Sequence, residues 1–201
     1  FLDDGEMDAA TQREVLALTG DVSARFLLVP ERYRTTPEGV PAPDKWIQNK
    51  RFSAGYRHMI RLYTIGLWEI VSRCGYEYVM RMDEDSAILS PITYNVFSYM
   101  KQHQLDYTYR LVSWESGHSS TNFHKFIRDY LTSRNRTNPT WLLDPCAKQP
   151  VDAYDKRNCG HLYGIYNNWF ATRVGFWLQP DVQDFLHHVD ESHTIYTKRW
   201  N

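Results

Sequence analysis

The chain has 201 residues, of which 42% are hydrophobic and 23% charged, so it is long and apolar enough to bury the core of one globular domain. Its net charge is −1, and neither nucleic acid nor an anionic membrane surface is therefore expected as a partner. Aromatic residues make up 15%, which fits either an aromatic-rich core or a cleft that handles sugars.

The first fifty residues are predicted to hold two short strands and one helix. Phe1 to Asp4 is typical of the end of a strand, which suggests a fragment that lacks its first strand or strands and its C-terminal end. A helix is expected from Met7 to Leu18, and a short buried strand from Ala24 to Val29. Glu31 to Asn49 is rich in proline and charge and is expected to form a long loop.

The clearest helix is expected from Ser53 to Cys74, because apolar residues recur along it at spacings of three and four. Its first turns carry three basic residues. Helix N-termini attract anions, so these residues either help to hold a diphosphate or form a solvated charged face. The apolar stripe comprises Tyr56, Met59, Ile60, Tyr63, Leu67, Ile70 and Val71, and the basic residues are Arg57, His58 and Arg61.

A strand is expected from Tyr76 to Met82, where aromatic and apolar residues alternate, and it leads directly into the acidic run from Asp83 to Asp85. In extended backbone, Asp83 and Asp85 point to the same side. They lie at the carboxyl end of a strand, where open α/β sheets bind ligands. Two such carboxylates suit Mn²⁺ or Mg²⁺ when substrate phosphates complete the coordination. A polar turn that is merely acidic is the alternative.

Helices and strands continue to alternate over the second half, which predicts an α/β fold with a mixed sheet and helices on both faces. Glu115 follows a strand and is a second acid at a carboxyl end, placed to touch either an acceptor or a sugar. The elements are a helix from Tyr94 to His103, a strand from Tyr107 to Trp114, a helix from Asn122 to Ser133, an apolar run from Leu162 to Phe176, and a helix opened by Gln179-Pro180-Asp181 that reaches about Val189.

The cysteines and one glycosylation triplet bear on the compartment without settling it. Cys146 and Cys159 flank a polar loop and can form one disulfide, which leaves Cys74 as a buried free thiol. Asn135-Arg136-Thr137 is an N-glycosylation acceptor triplet, which favours a secreted context.

Three blocks in one order resemble a known family. They are Tyr56-Arg57-His58-Met59-(x)-Arg61, the strand end Arg81-Met82-Asp83-Glu84-Asp85, and Tyr94-Asn95-Val96-Phe97-(x)-Tyr99-Met100. The chain resembles the fungal Golgi α-1,2-mannosyltransferases, glycosyltransferase family 15. In that family the helix carries Tyr-Arg-His-Met-x-Arg-Phe and the acidic motif is usually Arg-Val-Glu-Pro-Asp.

The resemblance implies a GT-A fold over residues 1–201 and a type II membrane protein of the Golgi lumen, held in the membrane by a segment absent from this chain. It also implies GDP-mannose as the nucleotide-sugar donor, a glycan or glycoprotein acceptor, Mn²⁺ as cofactor, and transfer with retention. By position, Asp83 and Asp85 would bind the metal, and Asp83 would also bind the nucleotide sugar. Arg57, Arg61 and Arg81 would line the donor site, and Glu115 is the candidate catalytic residue.

Two departures from the family leave other hypotheses open. Phe170, in Asn167-Asn168-Trp169-Phe170, aligns with the proposed nucleophile of the family's Ser-Asn-Phe-Glu, and a phenyl ring cannot attack an anomeric carbon. The family's metal-binding His falls beyond Asn201. An active enzyme would then use front-face attack and tolerate Phe170→Leu. The alternatives are an inactive structural or interaction domain of a larger secreted or surface protein, and a transferase for another nucleotide sugar.

Overall fold

The computed structural model describes residues 1–20, 22–83, 85–114, 122–136, 163–198 and 200, and over these ranges helices and strands alternate along the chain. The strands are β1 (Leu2–Asp3), β2 (Leu27–Leu28), β3 (Tyr78–Met82), β4 (Tyr107–Tyr109), β5 (Val112–Trp114), β6 (Tyr163–Ile165) and β7 (Trp169–Arg173). The α-helices are α1 (Ala9–Ala17), α2 (Ala54–Arg61), α3 (Leu67–Arg73), α4 (Val96–Gln102), α5 (Phe123–Ser133), α6 (Val174–Trp177), α7 (Pro180–Glu191) and α8 (Thr194–Thr197).

The central sheet is antiparallel, with strand order β3-β7-β4. The acidic run follows directly after the last residue of β3, Met82. A parallel pair, β1 with β2, and an antiparallel pair, β5 with β6, form two further small sheets in the described part of the chain. Helices cover both faces of the central sheet. On one face Phe97 of α4 stacks on Tyr78, with ring centroids 5.9 Å apart. On the other, Trp68 of α3 and Val174 of α6 form a core cluster with Phe170. The predicted α/β class with helices on both faces is confirmed.

The single strand predicted from Tyr107 to Trp114 is wrong, because the chain changes sheets within it. Tyr109 is paired with Phe170 in the central sheet, whereas Val112 is paired with Ile165 in the β5–β6 pair. The partner strands β6 and β7 are themselves separated by a turn at residues 166–168. The two ladders therefore lie out of line, and β4 and β5 divide to follow them.

The carboxyl end of β3 is less buried than its sequence predicted. Met80 and Met82 are 44% and 45% exposed, although their alternation with polar residues predicts a core face. The opposite face of the strand is the covered one, since Val79 packs against the main core cluster. Helix α4 begins beside Tyr78 and its last turn reaches Glu77 through Lys101, so it leads away from the two methionines.

The helix predicted from Ser53 to Cys74 is confirmed in extent, but it contains a π-helical segment, Leu62–Gly66, between α2 and α3. Its wider turn is marked by a hydrogen bond from the Leu67 N–H to the Leu62 carbonyl, five residues back. The Thr64 carbonyl accepts from the Trp68 indole at 2.9 Å, so part of the interrupted ladder is satisfied by a side chain. The helix ends at Gly75, whose φ of +79° suits a glycine terminator.

Gly66 lets this helix lie directly against the ring of Tyr33. A Cβ built at Gly66 would stand 2.5 Å from two Tyr33 ring atoms, closer than side chains tolerate. We expect Gly66→Ala to lower the free energy of unfolding by about 1–3 kcal/mol, the usual cost of overpacking. Gly55→Ala is the matched control in the same helix, because its nearest atom would be 3.7 Å away. Equal denaturation midpoints for the two variants would contradict this packing.

The loop from Glu31 to Asn49 is anchored by Trp46, which is buried in a second core cluster with Ile195 and Tyr196. Its indole donates a hydrogen bond of 2.7 Å to the Pro41 carbonyl. The loop is not wholly irregular, since Glu31–Tyr33 and Pro43–Lys45 form single 3₁₀ turns. None of the helices within the described ranges is long and apolar enough to cross a membrane.

Helices α5 and α7 are joined by a charged contact centred on Asp184. Arg134 donates to both carboxylate oxygens, at 2.7 and 2.9 Å, and the Tyr130 hydroxyl donates to one of them at 2.8 Å. The Arg134 hydrogen bond, followed by that of Tyr130, lowers the pKa of Asp184 to about 2. The contact therefore stabilises the fold above the ordinary carboxyl pKa near 4 and loses that contribution as the pH falls toward 2.

We accordingly expect thermal stability to fall between about pH 4 and pH 2, with Asp184 as one contributor. Asp184→Asn should lower stability at neutral pH and flatten this part of the profile. Tyr130→Phe, which removes only the second hydrogen bond, should flatten it less. Melting temperatures measured across the range check both changes, and an unaltered profile for Asp184→Asn would count against the contact.

Candidate functional site

The acidic run at the end of β3 is held by Arg81, two residues before it. An Arg81 Nη atom lies 2.7 Å from an Asp83 carboxylate oxygen, and the two side chains are 16% and 33% exposed. The guanidinium also stacks on Tyr63, with its Cζ 3.9 Å from the ring centroid. Asp85 is exposed to solvent. The site thus presents one carboxylate paired with a cation and one free to face a ligand.

The turn between β6 and β7 fixes the position of this acidic end. The Asp83 N–H donates to the Asn168 carbonyl at 2.9 Å, which extends the β3–β7 ladder by one residue. Arg81 donates to the Asn167 carbonyl at 3.4 Å, and the Asn168 amide donates to Ser86 Oγ at the same distance. Within the described residues the Asn168 Oδ1 atom is buried and accepts no hydrogen bond.

A cavity of about 890 Å³ opens beside this site, between the segment after β1 and the long helix. One wall is formed by residues 3–8, and the other by α2 and the π-helical segment. Tyr63 lines the cavity and also carries Arg81, so it joins the cavity to the acidic end of β3. The residues that contribute from the helical wall are Gly55, His58, Met59, Leu62 and Tyr63.

Two of the acidic side chains in residues 3–8, those of Asp3 and Asp8, accept hydrogen bonds from nearby groups of the same wall. Asp3 is buried and accepts from the Gly5 N–H at 2.9 Å and from Gln12 at 2.7 Å. Asp8 caps α1 by accepting from the Thr11 N–H at 2.8 Å, and this hydrogen bond lowers its pKa. Since both carboxylates are used within the wall, they hold its shape rather than face a ligand.

His58 is the imidazole in the cavity wall. Its Nε2 lies 3.1 Å from the Thr36 hydroxyl, and its ring is half-buried. Burial, aided by the nearby charge of Arg61, lowers the pKa of His58 below the ordinary value. The ring is therefore neutral at physiological pH, and one nitrogen can accept a hydrogen bond.

Arg57, which was predicted to line the donor site, is 0% exposed, and a donor contact by it stays a prediction. Its guanidinium donates to the backbone carbonyls of Ile47, Ile195 and Tyr196 and lies 5.1 Å from the Trp46 ring. It thereby ties α2 to the loop before it and to α8. A basic residue near a helix start gave no sign in the sequence that backbone carbonyls would surround it.

Arg61 also has a structural partner. It forms a two-pronged salt bridge with Asp190 of α7, at 2.7 and 2.9 Å, and donates to the Arg32 carbonyl. The Asp190 hydrogen bond raises the pKa of Arg61, so the charge is fixed at all ordinary pH values. A donor contact by Arg61 stays a prediction, since the geometry commits its nitrogens to protein groups.

Phe170 lies in the core and not at a reacting centre, where its alignment had placed it. It is 5% exposed and stacks on Tyr107, with ring centroids 5.3 Å apart, inside the main core cluster. Burial raises the pKa of Tyr107 to about 12 despite the neighbouring charge of Arg81, so the Tyr107 phenol is neutral at ordinary pH. The match of Phe170 to the family's proposed nucleophile stays a prediction.

Several predicted residues lie outside the described ranges, namely Glu84, Glu115, Cys146 and Cys159. The catalytic role of Glu115 and the disulfide therefore stay predictions. Cys74 is a free thiol, as predicted, and is half-buried rather than fully buried.

Tyr63 is the site residue that the sequence did not reveal. Its spacing placed it in the core-facing stripe of the long helix, yet it lines the cavity and supports Arg81. Tyr63 does pack against the main core cluster, as its spacing predicted, but spacing alone cannot show that the same side chain also borders a cavity. The proximity of Tyr63 to the acidic run in space was equally invisible in the chain order.

A family profile described as "Glycolipid 2-alpha-mannosyltransferase" matches residues 24–201. Among curated relatives, Glycolipid 2-alpha-mannosyltransferase 1 of Candida albicans is 21% identical over 212 residues, which cover 100% of this chain and 47% of the relative. O-glycoside alpha-1,2-mannosyltransferase omh1 of Schizosaccharomyces pombe is also 21% identical, with 100% of this chain and 52% of the relative covered. The chain thus spans about half the length of these relatives.

Two solved structures share the fold over the whole chain. Core-mannan synthase A (CmsA/Ktr4) from Aspergillus fumigatus, in its Mn/GDP form, superposes with a TM-score of 0.81 at 14% identity and is covered over 57% of its length. Mannosyltransferase Ktr4p from Saccharomyces cerevisiae, in complex with GDP, gives a TM-score of 0.82 at 17% identity, with 54% of its length covered. The expected GT-A-like fold is confirmed by this likeness.

Proposed function

Because the chain belongs to the glycolipid 2-alpha-mannosyltransferase family, we propose that it transfers mannose from GDP-mannose to a glycan or glycoprotein acceptor, with retention and with the help of Mn²⁺. The observation that carries the proposal is the acidic end of β3. There Arg81 pairs with Asp83 and lies on the ring of Tyr63, which also lines a cavity large enough for a nucleotide. Of the two structural neighbours, core-mannan synthase A is in its Mn/GDP form and Ktr4p is in complex with GDP.

Asp83 and Asp85 are the residues that would hold Mn²⁺, or Mg²⁺ in its place. The described residues contain no group of three or more His, Cys, Asp or Glu side chains suited to a metal. Two carboxylates nevertheless fit an ion of this kind, which commonly takes one or two carboxylates and completes its shell with phosphates and water. The ion, when bound, neutralises charge on the leaving diphosphate.

The cavity is proposed to take the nucleoside part of the donor. Its volume of about 890 Å³ lies within the range of small-molecule sites, about 300–1,000 Å³. Tyr63 and Tyr33 give it aromatic surface, and His58 supplies a neutral ring nitrogen. Arg81 is connected to the cavity through Tyr63, on whose ring its guanidinium lies. A diphosphate placed between the cavity and the carboxylates would meet a guanidinium suited to two-pronged phosphate binding.

The chemistry proposed for the sugar is front-face attack. Phe170 is part of the core, so the aligned position offers no nucleophile on the far side of the sugar. A bound diphosphate and a positioned acceptor hydroxyl are then the main requirements. Glu115 is proposed to contact the acceptor or the sugar. A Golgi lumenal location as a type II membrane protein belongs to the same proposal and rests on family membership.

The experiment is nucleotide binding by isothermal titration calorimetry, with GDP, UDP and ADP compared in the presence of Mn²⁺ and again with EDTA. We expect GDP to bind in the presence of Mn²⁺ and to lose most of its affinity in EDTA. Preferred binding of UDP would indicate a transferase for another nucleotide sugar. Absence of binding by any nucleotide to folded protein would indicate an inactive domain.

A further inference from the structure

Arg81 balances the negative charge of Asp83 from within the protein. The guanidinium–carboxylate contact of 2.7 Å occupies one of the oxygens that a metal ion would need. The same guanidinium has two other supports, the Tyr63 ring and the Asn167 carbonyl, and neither depends on Asp83. Arg81 can therefore lose its salt bridge to Asp83 and still be held by Tyr63 and Asn167.

We propose that Arg81 is an exchanging counter-ion, paired with Asp83 while the site holds no metal and paired with the donor diphosphate once a metal occupies Asp83. This inference rests on the proposed function, since it assumes a metal at Asp83 and a diphosphate at the boundary of the cavity. It adds that the arginine competes with the metal for the carboxylate and assists the nucleotide.

The geometry of the pair allows the salt bridge to open without releasing the arginine. Asp83 is 33% exposed, so water or a metal ion can reach its carboxylate, whereas Arg81, at 16%, is held mainly by protein groups. A guanidinium has five N–H donors in a fixed plane, so it can leave one acceptor while others remain engaged. The face of the plane stays on Tyr63, because stacking constrains the plane and not the direction of its edges.

The long helix places Tyr63 where this support is needed. Tyr63 is the second residue of the π-helical segment Leu62–Gly66, so it directly follows α2 and lies on the cavity wall with His58, Met59 and Leu62. Segments of this kind are frequent at functional sites. The close approach of Gly66 to the Tyr33 ring fixes the segment against the cavity wall. Tyr63 therefore acts as a positioning residue that keeps the guanidinium beside the cavity during the exchange.

The test compares Arg81→Gln and Arg81→Lys in two titrations, Mn²⁺ alone and GDP at saturating Mn²⁺. Arg81→Gln should raise the affinity for Mn²⁺ alone, on the order of fivefold, because a positive charge that repels the metal and competes for the carboxylate is removed. It should lower the affinity for GDP by about tenfold or more, because a charge-assisted hydrogen bond to the diphosphate is lost. Arg81→Lys keeps the charge and should change both affinities less.

Opposite signs in the two titrations support the exchange. Loss of affinity for both Mn²⁺ and GDP, or an unchanged affinity for Mn²⁺ alone, would overturn it, while Mn²⁺-dependent GDP binding by the unaltered protein would leave the proposed function standing. If the unaltered protein shows no such binding, the proposed function fails, and the exchange fails with it.

Tyr63 gives a second and independent variant pair. Tyr63→Phe keeps the ring and should keep the affinity for GDP, whereas Tyr63→Leu should weaken GDP binding and leave Mn²⁺ binding unchanged. Combining Tyr63→Leu with Arg81→Gln should cost less GDP affinity than the sum of the two single losses, since the tyrosine, besides lining the cavity, acts through the arginine. Additive losses would overturn the positioning role. Melting temperatures of each variant identify any loss that comes from unfolding.

Discussion

Asp83→Asn is expected to abolish Mn²⁺-dependent GDP binding, with a loss of affinity of more than about 100-fold. The reason is that loss of even an outer-shell partner of a metal ligand costs about 10- to 100-fold, and Asp83 is proposed as a ligand itself. Asp85→Ala should have a similar effect, because the described site offers few hard oxygen ligands and the diphosphate charge would stay uncompensated. Calorimetry with GDP at saturating Mn²⁺ measures both.

Asp129→Asn is the matched control for these two variants. Asp129 is an exposed carboxylate that pairs with Lys125 on the surface of α5, so it shares charge and chemistry with Asp83 but no part of the site. We expect its GDP affinity to equal that of the unaltered protein. Equal affinities for Asp83→Asn, Asp85→Ala and the control would remove the metal assignment altogether.

Phe170→Ala is expected to lower the free energy of unfolding by about 3–5 kcal/mol, the usual cost of truncating a buried phenylalanine. Phe170 packs with Leu67, Trp68 and Val174 and stacks on Tyr107, so truncation leaves a void between sheet and helix. Phe170→Glu should also destabilise the protein, because a carboxylate would be buried in an apolar cluster, and only Arg81, its register partner on β3, is placed to offset part of that cost.

Tyr109→Ala is the control on the neighbouring strand. Tyr109 is opposite Phe170 in the β4–β7 register but is exposed, so its loss should cost far less stability. Denaturant titration compares the variants. These results bear on mechanism. The alignment predicted that Phe170→Leu would leave activity unchanged, whereas the burial of Phe170 leads us to expect some loss of stability. A folded Phe170→Glu protein that forms a covalent glycosyl adduct would contradict both the packing and front-face attack.

The elements that the sequence predicted well are those governed by local rules. The helix over residues 53–74 was predictable because its apolar stripe recurs over several turns and Gly75 terminates it. The break between β4 and β5 was not, since it depends on the offset of partner strands far along the chain. The exposure of Met80 and Met82 likewise depends on where the covering helix lies, which alternation cannot report.

In the candidate site, too, some features follow from local sequence and others depend on tertiary contacts. The pairing of Arg81 with Asp83 follows from their places in one strand, because residues two apart share a face. The burial of Arg57 depends on carbonyls of residues 47, 195 and 196, which only the folded chain brings to the helix. The support of Arg81 by Tyr63 combines a helix irregularity with a contact between distant elements. Local patterns therefore found the acids, and tertiary structure was needed to find the residues that hold them.

Mannose transfer itself is the most direct test of the proposed function. Purified protein would be incubated with GDP-mannose, Mn²⁺ and a simple α-mannoside acceptor, and the product linkage determined by NMR. We predict a new α-linked mannose that forms with Mn²⁺, disappears in EDTA and is not made by Asp83→Asn. Folded protein that binds GDP and Mn²⁺ yet transfers no mannose to any of a panel of mannoside acceptors would contradict the proposal.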